Sequence, residues 1–94
     1  MNFDQKHVVM HALLIAAERF DDHAKDFGAL ARDIRAWAIV APGAANPPAL
    51  ALFAPGEAGA RGAERMAEQF QHQAQECRTV RDELEREDMG DDDE

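Results

Sequence analysis

A long uninterrupted helical pattern is the feature that most constrains how this chain folds. Residues 3–39 contain no proline and a single glycine, Gly28. Bulky apolar side chains recur every seven residues. A smaller or more flexible residue stands three positions before each of them, which gives an a/d heptad seam. The d positions are Leu13, Phe20, Phe27 and Ile34, and the a positions are Met10, Ala17, Ala24 and Ala31. We predict one amphipathic helix over about 3–39, flanked by Leu30 and Trp37 and capped by Asn2 or Asp4.

The same seam returns in a second range, predicted as a helix over about 59–87. Its apolar residues are Ala60, Ala63, Met66, Ala67, Phe70, Ala74, Cys77, Val80 and Leu84. The intervening range, 40–58, contains Pro42-Gly43, two adjacent prolines and Pro55-Gly56, which end helices and form turns. We predict a short helical turn within 47–54, with Leu50 and Phe53 packed over the hairpin.

These elements predict an all-α antiparallel helical hairpin whose core is incomplete. Two amphipathic helices leave part of a wide apolar stripe uncovered and bury too little area to offset their ordering entropy comfortably. We therefore expect a homodimer, or a heterodimer with a similar hairpin, that completes a four-helix bundle. The predicted core or interface residues are Leu13, Ala17, Phe20, Ala24, Phe27, Leu30, Ala31, Ile34, Trp37, Met66, Phe70, Ala74, Cys77, Val80 and Leu84.

The chain is strongly acidic, with a formal net charge of −9 over 94 residues. This argues against binding to nucleic acid or an anionic membrane surface, which needs Lys and Arg to displace counterions. Residues 82–94 hold nine acidic residues and one basic residue, a sum of −8, whereas residues 1–81 sum to −1. Because like charges at this density repel and lack apolar partners, we expect residues 88–94 to form a disordered acidic tail. Its acidic residues are Asp88, Asp91, Asp92, Asp93 and Glu94.

Candidate chemistry is sparse. Asp4, His7 and His11 could share one helical face at metal-ligand spacing, but they lack a nearby fourth ligand. Cys77 stands at a d position, where a thiol behaves as a small buried hydrophobic residue. No phosphate-binding glycine loop or serine elbow is present. We therefore predict a protein that is not an enzyme and has no catalytic residue, metal or cofactor.

One family resemblance rests on the general shape and on the segment leading into the second helix. The chain is acidic and alanine-rich, with two long predicted helices, Trp37 at the end of the first and a helix-breaking turn. In these features it resembles the WXG and EspC-like superfamily of type VII (ESX) secretion substrates. The segment 53–70, FAPGEAGARGAERMAEQF, is similar to the one that precedes and opens the second helix of EspC-like members. The Trp-x-Gly turn is replaced by Trp37-Ala38-Ile39, and without tyrosine the Tyr-x-x-x-Asp/Glu signal is absent. The resemblance implies antiparallel four-helix dimers and a partner without the export signal.

The predicted function is protein–protein interaction, either as a dimerising adaptor or as a type VII secretion-like partner. The alternative is a small acidic inhibitor from a mobile element that blocks a host nucleic-acid-binding protein. No stretch approaches the roughly 18 apolar residues of a membrane span. We expect a cytoplasmic location, or export without a cleaved signal peptide if the resemblance holds.

Overall fold

The computed structural model describes residues 2–91, and it describes side chains for residues 2–87. Two long helices, α1 (Phe3–Val40) and α2 (Gly56–Asp91), flank a short 3₁₀ helix (Pro48–Leu50). Within residues 2–91 no strand is present. The start of α1 lies beside the end of α2, and α1 and α2 pack together as a slender antiparallel hairpin of 66 × 18 × 14 Å. The predicted all-α helical hairpin is confirmed.

Both ends of α1 follow from local sequence. Asn2 is the N-cap: its side chain accepts a hydrogen bond from the Gln5 backbone N–H at 2.8 Å. The Asn2 backbone N–H donates in return to the Gln5 side chain at 3.2 Å, which completes a capping box. At the other end Pro42 cannot continue the helix, and Gly43 has φ +78°, a conformation that favours glycine. The helix therefore closely matches its predicted range of 3–39.

The connector folds back against the closed end of the hairpin. Its 3₁₀ helix lies in the predicted range 47–54, and the Leu50 side chain is buried. Leu50 belongs to a core cluster with Ile34 and Ala63, against which Phe53 also packs. The Asn46 Nδ2 lies within hydrogen-bond distance of three connector carbonyl oxygens, at 3.3, 2.9 and 3.1 Å. This side chain holds the connector in its folded-back conformation.

Helix α2 is longer than its predicted range of 59–87. It begins at Gly56, and its backbone remains helical through Asp91. Each residue added to an existing helix gains one backbone hydrogen bond for one residue fixed, so a formed helix extends readily. The predicted disordered tail, 88–94, thus starts inside this helix, and residues 92–94 lie outside the described residues.

Candidate interaction site

The predicted core residues fall into three groups by burial. Small residues at a positions and Ile34 form the buried centre, whereas most bulky residues of the seam are half-buried and Val80 is 44% exposed. The buried predicted residues are Ala17, Ala24, Ala31, Ile34 and Ala74. The half-buried ones are Leu13, Phe20, Phe27, Leu30, Trp37, Met66, Phe70, Cys77 and Leu84.

Alanine at the a positions explains this distribution. Ala17, Ala60 and Ala74 are each 0% exposed, so the line of contact between α1 and α2 runs through residues with the smallest side chains. Helices in contact through small side chains approach closely, so the bulky d residues other than Ile34 lie beside the contact line and not within it. Cys77, which we predicted to be buried, is accordingly half-buried at the side of the hairpin.

The displaced bulky residues form one continuous apolar edge, consisting of Leu13, Phe20, Phe27, Phe70, Cys77 and Val80. Phe70 of α2 stacks on both Phe20 and Phe27 of α1, with ring centroids 6.1 and 5.4 Å apart. Phe27 also meets Phe53 of the connector edge to face, at 6.1 Å. Toward the open end, a shallow groove of about 330 Å³ is lined by four of these residues together with Gln73 and Glu76.

The opposite edge of the hairpin is charged and closed by ion pairs between the helices. Arg35 donates from Nε and from its terminal nitrogen to the two carboxylate oxygens of Glu57, at 3.0 and 2.9 Å, and also donates to Glu64. These hydrogen bonds raise the pKa of Arg35. The hydrogen bond that Arg35 donates to Glu57 lowers the pKa of Glu57 to about 2. Further along, Arg78 pairs with Asp21, and the pKa of Arg78 is raised. We call Asp21, Arg35, Glu57, Glu64 and Arg78 the charged edge.

Sequence reasoning missed the charged edge. Its charge alone would place Arg35 on the solvent face of the first helix, but it is half-buried and crosses to α2. The signal was available in the heptad pattern. Four residues after an a position stand Asp21, Arg35, Glu64 and Arg78, and Glu57 is one heptad before Glu64. In an antiparallel pair these positions meet along one side of the seam, where opposite charges attract.

Lys6 is a buried charged residue that the sequence did not reveal. Its side chain is 8% exposed, and its Nζ lies 3.8 Å from a carboxylate oxygen of Glu87. Lys6 stands at a d position, so the heptad pattern directs it toward α2 even though its charge suggests a solvent position. It ties the start of α1 to the last turns of α2.

The described side chains assemble no metal cluster. Among them, no group of three or more His, Cys, Asp or Glu residues could hold a metal ion. The His7 ring packs edge to face on Phe3 with centroids 4.3 Å apart, and His72 pairs with Glu76 at 3.0 Å. Within residues 2–91 neither helix is long and apolar enough to cross a membrane.

Comparisons with known proteins give no relative for this chain: no family model, no curated protein and no solved structure matches it.

Proposed function

We propose that this chain is a non-enzymatic interaction protein whose apolar edge is covered by helices of a partner. The partner is a helical hairpin, either a second copy or a different chain, and the assembly is a four-helix bundle. A type VII secretion-like partnership is one setting for such a pair. The observation that carries the proposal is the contrast between the two edges: ion pairs bridge the helices along one, whereas the other presents an uncovered apolar strip.

The surface area supports the same proposal. A compact monomer of 10.4 kDa exposes about 5,400 Å², whereas this chain exposes 6690 Å². The excess of roughly 1,300 Å² is larger than the ~800 Å² that each partner buries in a protein–protein interface of standard size. A partner of standard interface size on the apolar edge would therefore bring the exposed surface closer to that of a compact monomer of this mass.

A matched pair of variants tests the proposal. Val80 is 44% exposed on the apolar edge, and Val8 is 70% exposed outside it, so a carboxylate at either position leaves the hairpin folded. We expect tagged native protein and Val8→Asp to retain the same partner from cells of the source organism, and Val80→Asp to lose it. The partner should also slow thiol labelling of Cys77. Equal retention by both variants, or an unchanged labelling rate, would refute the proposal.

The acidic inhibitor is a second candidate, favoured by the length of α2. Six of the nine acidic residues in 82–94 fall within the range of this helix, so their spacing is set by a regular backbone. Closely spaced acidic residues on a regular backbone are a feature that a cationic nucleic-acid-binding protein would recognise. Neutralising Asp82 and Glu85 as amides should weaken such inhibition and spare binding at the apolar edge.

A further inference from the structure

The charges that border the apolar edge are mostly of one sign. On α1 these are Arg19, Asp26 and Asp33, each two residues after a buried alanine. On α2 they are Glu76 and Glu83, two residues after Ala74 and Arg81. At 100° per residue this position lies on the outer side of the apolar edge. All five residues are exposed, and Glu76 lines the groove beside Leu13. We call Asp26, Asp33, Glu76 and Glu83 the acidic rim.

The rim carboxylates differ from those of the charged edge in their partners. Among the described residues, Asp26, Asp33 and Glu83 form no ion pair, and Glu76 pairs only with His72 of its own helix. On the charged edge, by contrast, arginines already pair with the carboxylates across the two helices. The apolar edge thus combines an uncovered apolar strip with carboxylates whose charge is not offset by the hairpin itself.

A second copy fits this surface poorly. Two facing copies would bring together eight rim carboxylates and only two rim arginines, the two Arg19 side chains, so most of the carboxylates would lack a cationic neighbour. Arg19 is the only Lys or Arg at a rim position and cannot offset carboxylates on both helices. Like charges along a seam oppose pairing, whereas a cationic flank on the partner would pair with them.

We infer that the apolar edge binds a helix of a different chain whose apolar stripe is flanked by Lys and Arg. This inference rests on the proposed function and selects one class among its partners. The aromatic stack of Phe20, Phe27 and Phe70 receives the apolar stripe of that helix. The acidic rim holds the cationic flanks on both sides, which fixes its position along the hairpin.

Two synthetic peptides of three heptads each test the inference with the full chain. Both carry Leu at a and d; one has Lys at the flanking e and g positions, and the other has Glu there. Four exposed charge pairs predict that the Lys peptide binds about tenfold more tightly by fluorescence anisotropy. The difference should shrink as salt is raised, since exposed charges are screened.

Two variants with the same change in net charge separate the rim from the overall acidity. Asp26→Lys with Glu83→Lys reverses half of the rim, and we expect the preference for the Lys peptide to disappear. Asp22→Lys with Glu68→Lys makes the same charge change at exposed positions outside the rim and should preserve it. Equal losses in the two double variants would overturn the inference, because the preference would then reflect net charge alone.

The remaining outcomes separate the inference from the proposed function. If the chain alone is a dimer by light scattering at micromolar concentration and its Cys77 is protected from labelling, a second copy covers the apolar edge. The inference is then overturned, and the proposed function stands. If the chain alone is a monomer, and neither peptide binds or protects Cys77, both fail.

Discussion

Phe27 of α1 and Phe70 of α2 stack across the hairpin, with ring centroids 5.4 Å apart and planes inclined by 17°. Phe70 also stacks on Phe20 and contacts the His23 ring at 5.2 Å, so it is the residue that links the aromatic side chains of both helices. All three phenylalanines remain half-buried. The largest side chains of the hairpin therefore contribute both to its own stability and to the surface that it offers a partner.

Replacing Phe70 with alanine should lower the free energy of unfolding by about 2–3 kcal/mol. The substitution removes two ring stacks and their buried area, and half-burial keeps the loss below that of a fully buried phenylalanine. Urea denaturation followed by circular dichroism measures the change. Leu52→Ala is the control, because Leu52 is 97% exposed. A Phe70→Ala loss no larger than that of the control would contradict the role of the stack.

Gly59→Ala and Gly28→Ala should change stability in opposite directions. A Cβ on Gly59 would lie 1.6 Å from the Ala54 carbonyl oxygen, so α2 or the connector would have to move. We expect a loss of about 2 kcal/mol or more. Gly28 has no atom within 4 Å of the Cβ position in its helix, so alanine should stabilise the chain by ~0.5–1 kcal/mol.

Thermal unfolding of the two glycine variants provides the measurement. The melting temperature should fall for Gly59→Ala and rise for Gly28→Ala. A rise for both variants would show that the chain between Ala54 and Gly59 has no fixed conformation.

Heptad spacing was sufficient to predict the hairpin, because all four prolines lie between the two helices. It also identified the a-position alanines as seam residues. It did not predict which seam residues are buried, since that depends on how closely the helices approach. With alanine at the centre of the contact, Phe20, Phe70 and Cys77 move to the side and form a surface.

The heptad positions of the charged-edge residues can be read from the sequence, but which of these residues pair depends on the relative register of the two helices. Arg35 looks like a solvent residue until α2 brings Glu57 and Glu64 beside it. Helix α2 also continues past its predicted end at residue 87, because each residue added to a formed helix gains one backbone hydrogen bond.

The Arg35–Glu57 pair should make stability depend on pH in the acid range. The pKa of Glu57 is lowered from 4.5 to about 2 by its hydrogen bond with Arg35, so folding favours the charged carboxylate. Its contribution is therefore complete above the unfolded pKa and is lost as the pH falls from 4.5 toward 2. Glu57→Gln should be less stable than the native chain near neutral pH and should converge with it near pH 2.

Urea midpoints measured over this pH range test the pair. Glu68→Gln serves as the control, since Glu68 is exposed and forms no ion pair among the described residues. A difference between Glu57→Gln and the native chain that stays constant down to pH 2 would show that the carboxylate charge is not its cause.

Asn46→Asp should release the connector from the closed end of the hairpin. The Asn46 amide nitrogen faces the carbonyl oxygens of Leu50, Phe53 and Ala54, and its Oδ1 accepts no hydrogen bond from the described residues. Aspartate keeps the shape but removes the donors and brings a negative charge to three acceptors. We expect a loss of about 1–3 kcal/mol, with faster proteolysis in the connector.

The same substitution at Asn2 provides a matched control. Asn2 caps α1 by accepting a hydrogen bond, which an aspartate accepts equally well, and its negative charge favours a helix N-terminus. Asn2→Asp should therefore leave the free energy of unfolding unchanged or slightly higher. If both variants lost the same stability and connector cleavage were no faster in Asn46→Asp, the donor role of Asn46 would be wrong, and the connector would be held by Leu50 and Phe53 alone.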